Sequence, residues 1–512
     1  MSRPLVVAAI LAFVILGIAP VAVMLARVDA ADLAGVLSAR STALLGRTAL
    51  LGAGSALTAL VVGIPFGFLV ARTDIPGAAL WRVASVLPIL LPPLIVAVSW
   101  AGMTPLRGGL ATTLVLGLCT FPLVALYVAR ACERIDARQE EAALLAGGLS
   151  AVLRVELPLV LPSALFAACF AFVLSINDFA VPDYVSSIGP KWNVYADEVF
   201  ASWRSAQQSG PAVAAALPLV ALTALALWPA LALRRRNTLT SFSGDFRTPA
   251  VLRLGAWRWP ALMFVLAVLG IAAFAPIGRL VFESGGGPRG FSFEKMQSAF
   301  AAAFERGSSN IASSLTFAVG AALIAVPIGL VLGHALERSG RLGRYLAPVA
   351  LVPIAVPAIL FGIGGIAVWN RPSTGALYDS GWMAVVLFAG RFLPFVVLAF
   401  AAATAMIDPR IEESARLAGA GPTKRLVRIV TPALGPTVIG SALVVFVLSM
   451  RELDAAILVP AANSCVLFRI YNAVHFGRDD YVAALSLLVV FFVVAPGLLW
   501  TLFARRRLEV LP

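Results

Sequence analysis

The chain has 512 residues, of which 60% are hydrophobic and 13% charged, and a formal net charge of +13. A soluble globular protein carries about twice that share of charge, so a water-soluble domain is excluded. In a soluble chain the positive balance would point to nucleic acid; here the apolar residues fall in runs near the roughly 20 residues that a helix needs to cross a bilayer.

Twelve runs stand out in chain order: Leu5–Leu25, Leu50–Ala71, Val83–Ala101, Leu110–Ala129, Leu165–Ala180 and Ala212–Leu233, then Ala261–Leu280, Ile311–His334, Leu346–Val368, Met383–Met406, Thr437–Val459 and Val482–Ala504. The first follows Arg3 in the manner of a signal peptide, but its apolar core is long for one, and we read it as an uncleaved helix. With the N-terminus in the cytoplasm and alternating helices, cytoplasmic segments hold 24 of the 39 Lys and Arg residues, outer segments about 13, and the helices two, Arg391 and Arg451. The positive-inside rule accounts for this bias. Arg234–Arg236 and Arg505–Arg507 are the strongest anchors, and both termini come out cytoplasmic. Cys119, Cys132, Cys169 and Cys465 show no metal-ligand spacing and read as small buried hydrophobes.

The two halves repeat. Pro65-Phe-Gly67 matches Pro327-Ile-Gly329, Arg82 matches Arg344, and Pro88-x3-Pro92 matches Pro353-x3-Pro357. Asp136-x-Arg-x-Glu-Glu matches Asp408-x-Arg-x-Glu-Glu, and Pro158-x3-Pro162 matches Pro432-x3-Pro436. The order is kept while the offset drifts through small insertions. Six helices per repeat is an even number, so both copies face the same way. The expected fold is an all-α integral membrane protein of about 12 transmembrane helices, built as two parallel repeats related by a pseudo-twofold along the membrane normal. Residues 1–233 form the first repeat, 234–259 a polar cytoplasmic linker, and 260–512 the second repeat.

The long loop between the fourth and fifth helices of each repeat carries the clearest motif. The first reads Asp136-Ala-Arg-Gln-Glu140-Glu141-Ala142-Ala143-Leu-Leu-Ala-Gly147. The second reads Asp408-Pro409-Arg-Ile-Glu412-Glu413-Ser414-Ala415-Arg-Leu-Ala-Gly419. Each predicts a short helix. Asp136 and Asp408 suit the N-cap, Pro409 the first helical position, and the paired glutamates the positive end of the helix dipole. Gly147 and Gly419 suit the left-handed residue that closes a helix.

These loops resemble the EAA motif of ABC importer permeases, EAA-x3-G-x9-I-x-L-P. The second copy keeps the full spacing through Gly419, Ile429 and Pro432, with Ser414 for the middle Ala and Thr431 for Leu. The first keeps Glu141-Ala142-Ala143, Gly147 and Val155-x-Leu157-Pro158 but is two residues shorter between the Gly and the hydrophobe. The resemblance covers nearly the whole chain and implies a type I permease in fused two-repeat form. It further implies that each EAA loop is a coupling helix seated on a cytoplasmic ABC ATPase homodimer. An external, periplasmic or extracellular binding protein delivers the solute, and the chain lies in the bacterial inner membrane. On this reading the chain binds no cofactor, because ATP and Mg belong to the partner ATPase. No G-x4-G-K-[ST] phosphate loop occurs in the sequence, and Gly285–Gly290 reads as a flexible outer loop.

Charged residues near membrane depth are pathway candidates. Asn177 and Asp178 end the fifth helix, and Arg451, Glu452 and Asp454 stand at the matching place in the second repeat. Asp178 and Glu452 are equivalent and could face one another across the pseudo-twofold. Arg391 is expected to pair with Glu452 or Asp454. The plain alternative is that these are helix-end polar residues at an interface. The segments Lys191–Trp203 and Asn463–Tyr481 fit either docking of a binding protein or aromatic belts. Among fused permeases the chain looks most like the ferric-iron group, with thiamine a close relative; polyamine, phosphonate and sulfate remain open. A major-facilitator-type secondary transporter also has twelve helices in two halves, but has no role for the EAA loops. A membrane-embedded enzyme would need a paired catalytic set such as HExxH, which the sequence lacks.

Overall fold

The computed structural model describes residues 3–508 except 30–31, 33–35, 37, 207–208, 238–246, 248–249, 288–289 and 476–478. Among these residues, nine helices are long and apolar enough to cross a bilayer, and three sharply bent pairs raise the number to twelve. The membrane-class helices of the first half are α1 (Arg3–Leu25), α2 (Ala39–Arg72), the bent pair α3 (Ala78–Leu90) and α4 (Pro93–Met103), α5 (Gly108–Cys132), α6 (Ala137–Ile176) and α7 (Ser209–Asn237). The second half runs α8 (Gly255–Gly285), α9 (Phe293–Arg338), the bent pair α10 (Tyr345–Ala355) and α11 (Ala358–Trp369), and α12 (Trp382–Ala405). The short α13 (Pro409–Leu417) follows, then the bent pair α14 (Pro422–Ala433) and α15 (Gly435–Arg451), and finally α16 (Asp479–Leu508). The protein is an all-α integral membrane protein. Its twelve candidate spans answer the twelve apolar runs one for one.

Three spans depart from the straight helices expected. The α3–α4 pair turns by 93° and the α10–α11 pair by 101°. In both, the cause is the repeated proline. Leu91 before Pro92 and Val356 before Pro357 are pushed to extended backbone, with ψ of 132° and 127°. A proline's ring disfavours the helical region for its predecessor. The third departure is the 79° bend between α14 and α15. Two expected runs also overshoot: Leu165–Ala180 stops being helical at Ile176, and Thr437–Val459 at Arg451.

The contacts divide the chain into two compact units that cut across the sequence repeats. One unit contains residues 1–36, 199–217 and 296–512; the other contains 37–198 and 218–295. The opening helix of each half is thus packed with residues of the other half. In the first unit α1 is drawn close by glycines. A Cβ on Gly390 would meet the Leu16 carbonyl at 2.1 Å, and one on Gly364 the Pro20 carbonyl at 2.3 Å. Small residues let helix backbones approach where lipid supplies no hydrophobic drive. In the second unit Val265, Val268, Leu269 and Ala272 of α8 join Phe66, Phe121, Val124 and Val128 in one buried core.

Large apolar residues are exposed along single helix faces, including Leu50, Leu57 and Val61 of α2 and Val319 and Leu323 of α9. In a bilayer that face meets lipid. The stretch Gly285–Gly290, expected as a flexible loop, instead carries a small antiparallel pairing of Gly286 with Phe291 and Gly287 with Gly290. Much of the linker lies outside the described residues, as do the side chains of Arg234–Arg236, His475 and Arg505–Arg507.

Candidate functional site: the two coupling loops

Both EAA segments fold as helices with the capping their sequence demands. Asp136 accepts a hydrogen bond from the Arg138 backbone N–H at 3.0 Å, and Asp408 from that of Arg410 at 2.9 Å. Pro409 occupies the first turn of α13. Gly419 sits at φ +79°, the left-handed conformation expected after a helix.

Gly147 does not take that role. Its φ of −172° is extended, and the positive-φ residue is Gly148, at φ +65° and ψ −153°. The two-residue difference between the loops has its structural expression here. In the first repeat the chain kinks at Gly147–Gly148 and the helix resumes within α6. In the second, residues 418–421 separate α13 from α14, so α13 is a discrete element.

The paired glutamates divide their work. Glu140 is 4% exposed and turned inward, whereas Glu141 beside it is exposed. Glu140 pairs with Arg72 at 2.5 Å, and the same guanidinium reaches Glu156 at 3.0 Å. All three side chains are buried. A charge taken from water needs a partner close by, and here one cation at the end of α2 ties together two points of α6.

The second loop repeats this division with different chemistry. Glu412 lies 2.9 Å from His334 Nε2 and 2.9 Å from Arg338 Nε, while Glu413 is exposed and pairs with the equally exposed Arg416. Burial pushes the Glu412 carboxyl up, but His334 and Arg338 together outweigh it and hold the group below the usual carboxylate range. Arg338 also donates to the Ile407 carbonyl at 2.7 Å, just before the helix begins.

Of the alanines, Ala143 is buried against its own unit, Ala142 is exposed and Ala415 is half-buried. The outward face carries a feature the motif did not announce. Leu145 is 91% exposed and Leu417 81%, at equivalent places in the two loops. Arg72 and His334 were also missed. The signal was available, since both stand seven residues after the matched Pro65 and Pro327.

The pathway candidates fall into a different pattern. Arg391, within α12, pairs with Glu452 at 3.2 Å, as one of the two expected pairings requires. It also points toward the Val356 carbonyl, at 3.5 Å, where the α10–α11 span breaks. Glu452 uses its other oxygen to accept from the Ala455 N–H at 2.8 Å, and Asp178 accepts likewise from Val181 at 2.9 Å. The two acids thus share the job of ordering the turn after the fifth span. Asn177 is buried and bonded to the Val173 carbonyl of its own helix. Arg451 and Asp454 are half-buried at the same helix end. The Lys191–Trp203 and Asn463–Tyr481 segments contain short helices, Tyr195–Ala206 and Val466–His475. The Thr48 hydroxyl accepts from the Tyr195 N–H, and that of Ser314 from the Val466 N–H.

Comparison with known proteins agrees with this architecture. Residues 325–509 match the family described as binding-protein-dependent transport system inner membrane component. The chain is 25% identical to the probable ABC transporter permease protein y4fN of Sinorhizobium fredii, across 92% of this chain and 88% of that one. It is 21% identical to the Fe(3+)-transport system permease protein FbpB 2 of Haemophilus influenzae, across 91% of each. It is 28% identical to the putrescine transport system permease protein PotI of Escherichia coli, across 39% of this chain and 73% of PotI. Residues 325–509 thus match the family of binding-protein-dependent transport inner membrane components, and almost the whole length of the chain is similar in sequence to ABC transporter permeases.

Proposed function

We propose that the two EAA loops, centred on Glu140–Gly147 and Glu412–Gly419, dock on a pair of cytoplasmic ABC ATPase subunits. ATP-driven closure of that pair then moves the membrane helices and imports a solute handed over by an external binding protein. The observation that carries this is the duplicated design of the loops. In each, one glutamate is fastened inward to the end of the preceding long helix, and one leucine stands out in solvent. An isolated exposed leucine is ordinary, but two at equivalent places on short charged helices mark a surface made to be covered. The inward ion pairs give a pull on the helix a direct route to α2 and α9.

The chain itself is a permease, and ATP with Mg binds the partner ATPase. Both termini lie with the loops on the cytoplasmic side. The inner pair Arg391–Glu452 sits beside the proline break of α10–α11 and is the leading pathway candidate, joined by Asn177, Asp178, Arg451 and Asp454. Ferric iron is the cargo we favour, from the near full-length similarity to FbpB 2. The similarity to PotI favours a polyamine as the second reading. Thiamine, phosphonate and sulfate are the remaining readings.

The test is to recover the tagged chain from native membranes with its partners and to measure metal in any co-purifying external protein. An ATPase with an iron-loaded binding protein supports the full reading. An ATPase with an iron-free binding protein removes iron and keeps the importer. Loss of every ATPase under conditions that hold known complexes together overturns the docking reading.

A further inference from the structure

The later part of the linker returns to the first coupling loop and binds it. The Arg247 carbonyl accepts from the N–H of Ala137, the first residue of the coupling helix, at 3.0 Å. The Ala250 carbonyl accepts from Arg72 Nη1 at 3.0 Å, on the guanidinium that holds Glu140. Leu252 then lies beside the end of α2. Its N–H donates to the Arg72 carbonyl at 2.7 Å, and its carbonyl accepts from the Asp74 N–H at 3.2 Å. Finally the Leu254 N–H donates to the Asp74 carboxylate at 2.8 Å. Leu252 itself is buried.

Four residues, Arg247, Ala250, Leu252 and Leu254, therefore make five hydrogen bonds to three things: the start of the coupling helix, the cation that anchors it, and the turn after α2. The second loop has no such visitor among the described residues. Its inward glutamate is held by His334 and Arg338, and the carbonyl before its helix by Arg338, all from the same repeat. Arg338 has Pro76 at its equivalent in the first repeat, a residue with no donor to offer. The linker supplies from outside what Arg338 supplies from within.

We propose that Arg247 and residues 250–254 are a positioning strap, which seats the first coupling helix on the end of α2 and makes the two coupling loops mechanically unequal. This rests on the reading of those loops as ATPase-docking elements. A segment tied to both α2 and the coupling helix stiffens the first joint. The second joint, interrupted after Gly419 and held by side chains alone, keeps more freedom. The linker of the fused chain is then part of the transmission as well as a tether.

The experiment is amide hydrogen exchange on the full chain in lipid nanodiscs, without an ATPase, comparing the parent with Asp74→Ala/Leu252→Pro. Asp74 is the acceptor for Leu254, and proline at 252 removes the N–H given to Arg72. Exchange reads the opening of local structure. The expected result is exchange at least tenfold faster over residues 137–147, with residues 409–417 changed less than twofold. Asp74→Ala alone gives a smaller increase at the same place, and Asp74→Asn, which keeps an acceptor oxygen, stays at the parent rate. Unchanged exchange over 137–147, or equal acceleration in both loops, overturns the strap. A second arm with the ATPase present expects transport per ATP hydrolysed to fall at least fivefold in the double variant. If the chain captures no ATPase at all, the docking reading falls, while the exchange arm still decides the strap.

Discussion

His334 and Glu412 meet at 2.9 Å, in the places that Arg72 and Glu140 occupy one repeat earlier. The same joint between a long membrane helix and an EAA-segment helix is thus built twice, once with an arginine and once with a histidine. The surroundings compensate for the difference. Glu156 and the Ala250 carbonyl take up the extra donors of Arg72, and Arg338 joins His334 on the Glu412 carboxylate.

The inward and outward glutamates should separate by substitution. Leaving a buried charge wholly unpaired costs about 3–5 kcal/mol; Arg72 keeps Glu156 at 3.0 Å, so Glu140→Ala should lower the unfolding temperature by less than that but clearly. Glu141→Ala, at an exposed position, should change stability by less than about 0.5 kcal/mol. Thermal unfolding in detergent, followed by loss of soluble monomer, checks both; equal effects would contradict the assignment of faces.

Leu145→Arg and Leu417→Arg should leave the fold intact and disrupt ATPase capture. Both side chains are mostly in solvent, so a charge there costs the isolated chain almost nothing. Co-purification with the ATPase should drop at least tenfold for the double variant. Retention of a full ATPase complex would show that these leucines are not the docking surface.

The seat of α1 should be intolerant of bulk. Gly390→Val or Gly364→Val forces a side chain against the Leu16 or Pro20 carbonyl, and overpacking of this kind costs about 1–3 kcal/mol or more. Limited proteolysis near residue 26 should become faster in both variants, while Gly278→Val, at a position with open space, should behave as the parent.

How far the sequence alone reaches is clear from the coupling loops. The Asp caps, Pro409 and Gly419 follow from bonding within a few residues, and each lies where local chemistry puts it. Gly147 does not, because the next residue is also glycine and the chain had two places to turn. Which of two adjacent glutamates faces inward depends on Arg72 and His334, tens of residues away, and no local rule selects between them.

Acid should favour the segment between α6 and α7. Burial pushes the Asp197 carboxyl up to about 7, with the nearby Asp183 and Asp178 adding to the effect against the Val194 hydrogen bond. An acid whose folded pKa lies above its unfolded value binds its proton more tightly in the native state. Native stability therefore falls as pH rises from about 4 to about 7 and is level above that. Asp197→Asn should remove this contribution. Thermal unfolding from pH 4.5 to 8 in both proteins measures it, and parallel profiles would contradict it.

The intramembrane pair Arg391–Glu452 should be sensitive to single changes. Arg391→Leu or Glu452→Leu leaves one half-buried charge near a helix break, and transport should fall at least tenfold in each. The double Leu variant should recover stability, since a buried pair replaced by apolar residues is often neutral, but not transport. Recovery of transport as well would make the pair a purely structural one. Uptake in proteoliposomes beside thermal unfolding separates the two.

The sequence by itself determined the class of the protein, its twelve apolar runs, and the place and N-terminal capping of the two EAA-segment helices. These follow from the length of apolar segments and from contacts within one or two helical turns. Tertiary structure alone decided the packing of each opening helix with the other half, the inward partners of Glu140 and Glu412, the exposure of Leu145 and Leu417, and the return of Arg247 and residues 250–254 to the first loop. Those features pair residues far apart in the chain. They are selected by close backbone approach at glycines and by the need to satisfy buried charge, and neither leaves a periodic mark in the sequence.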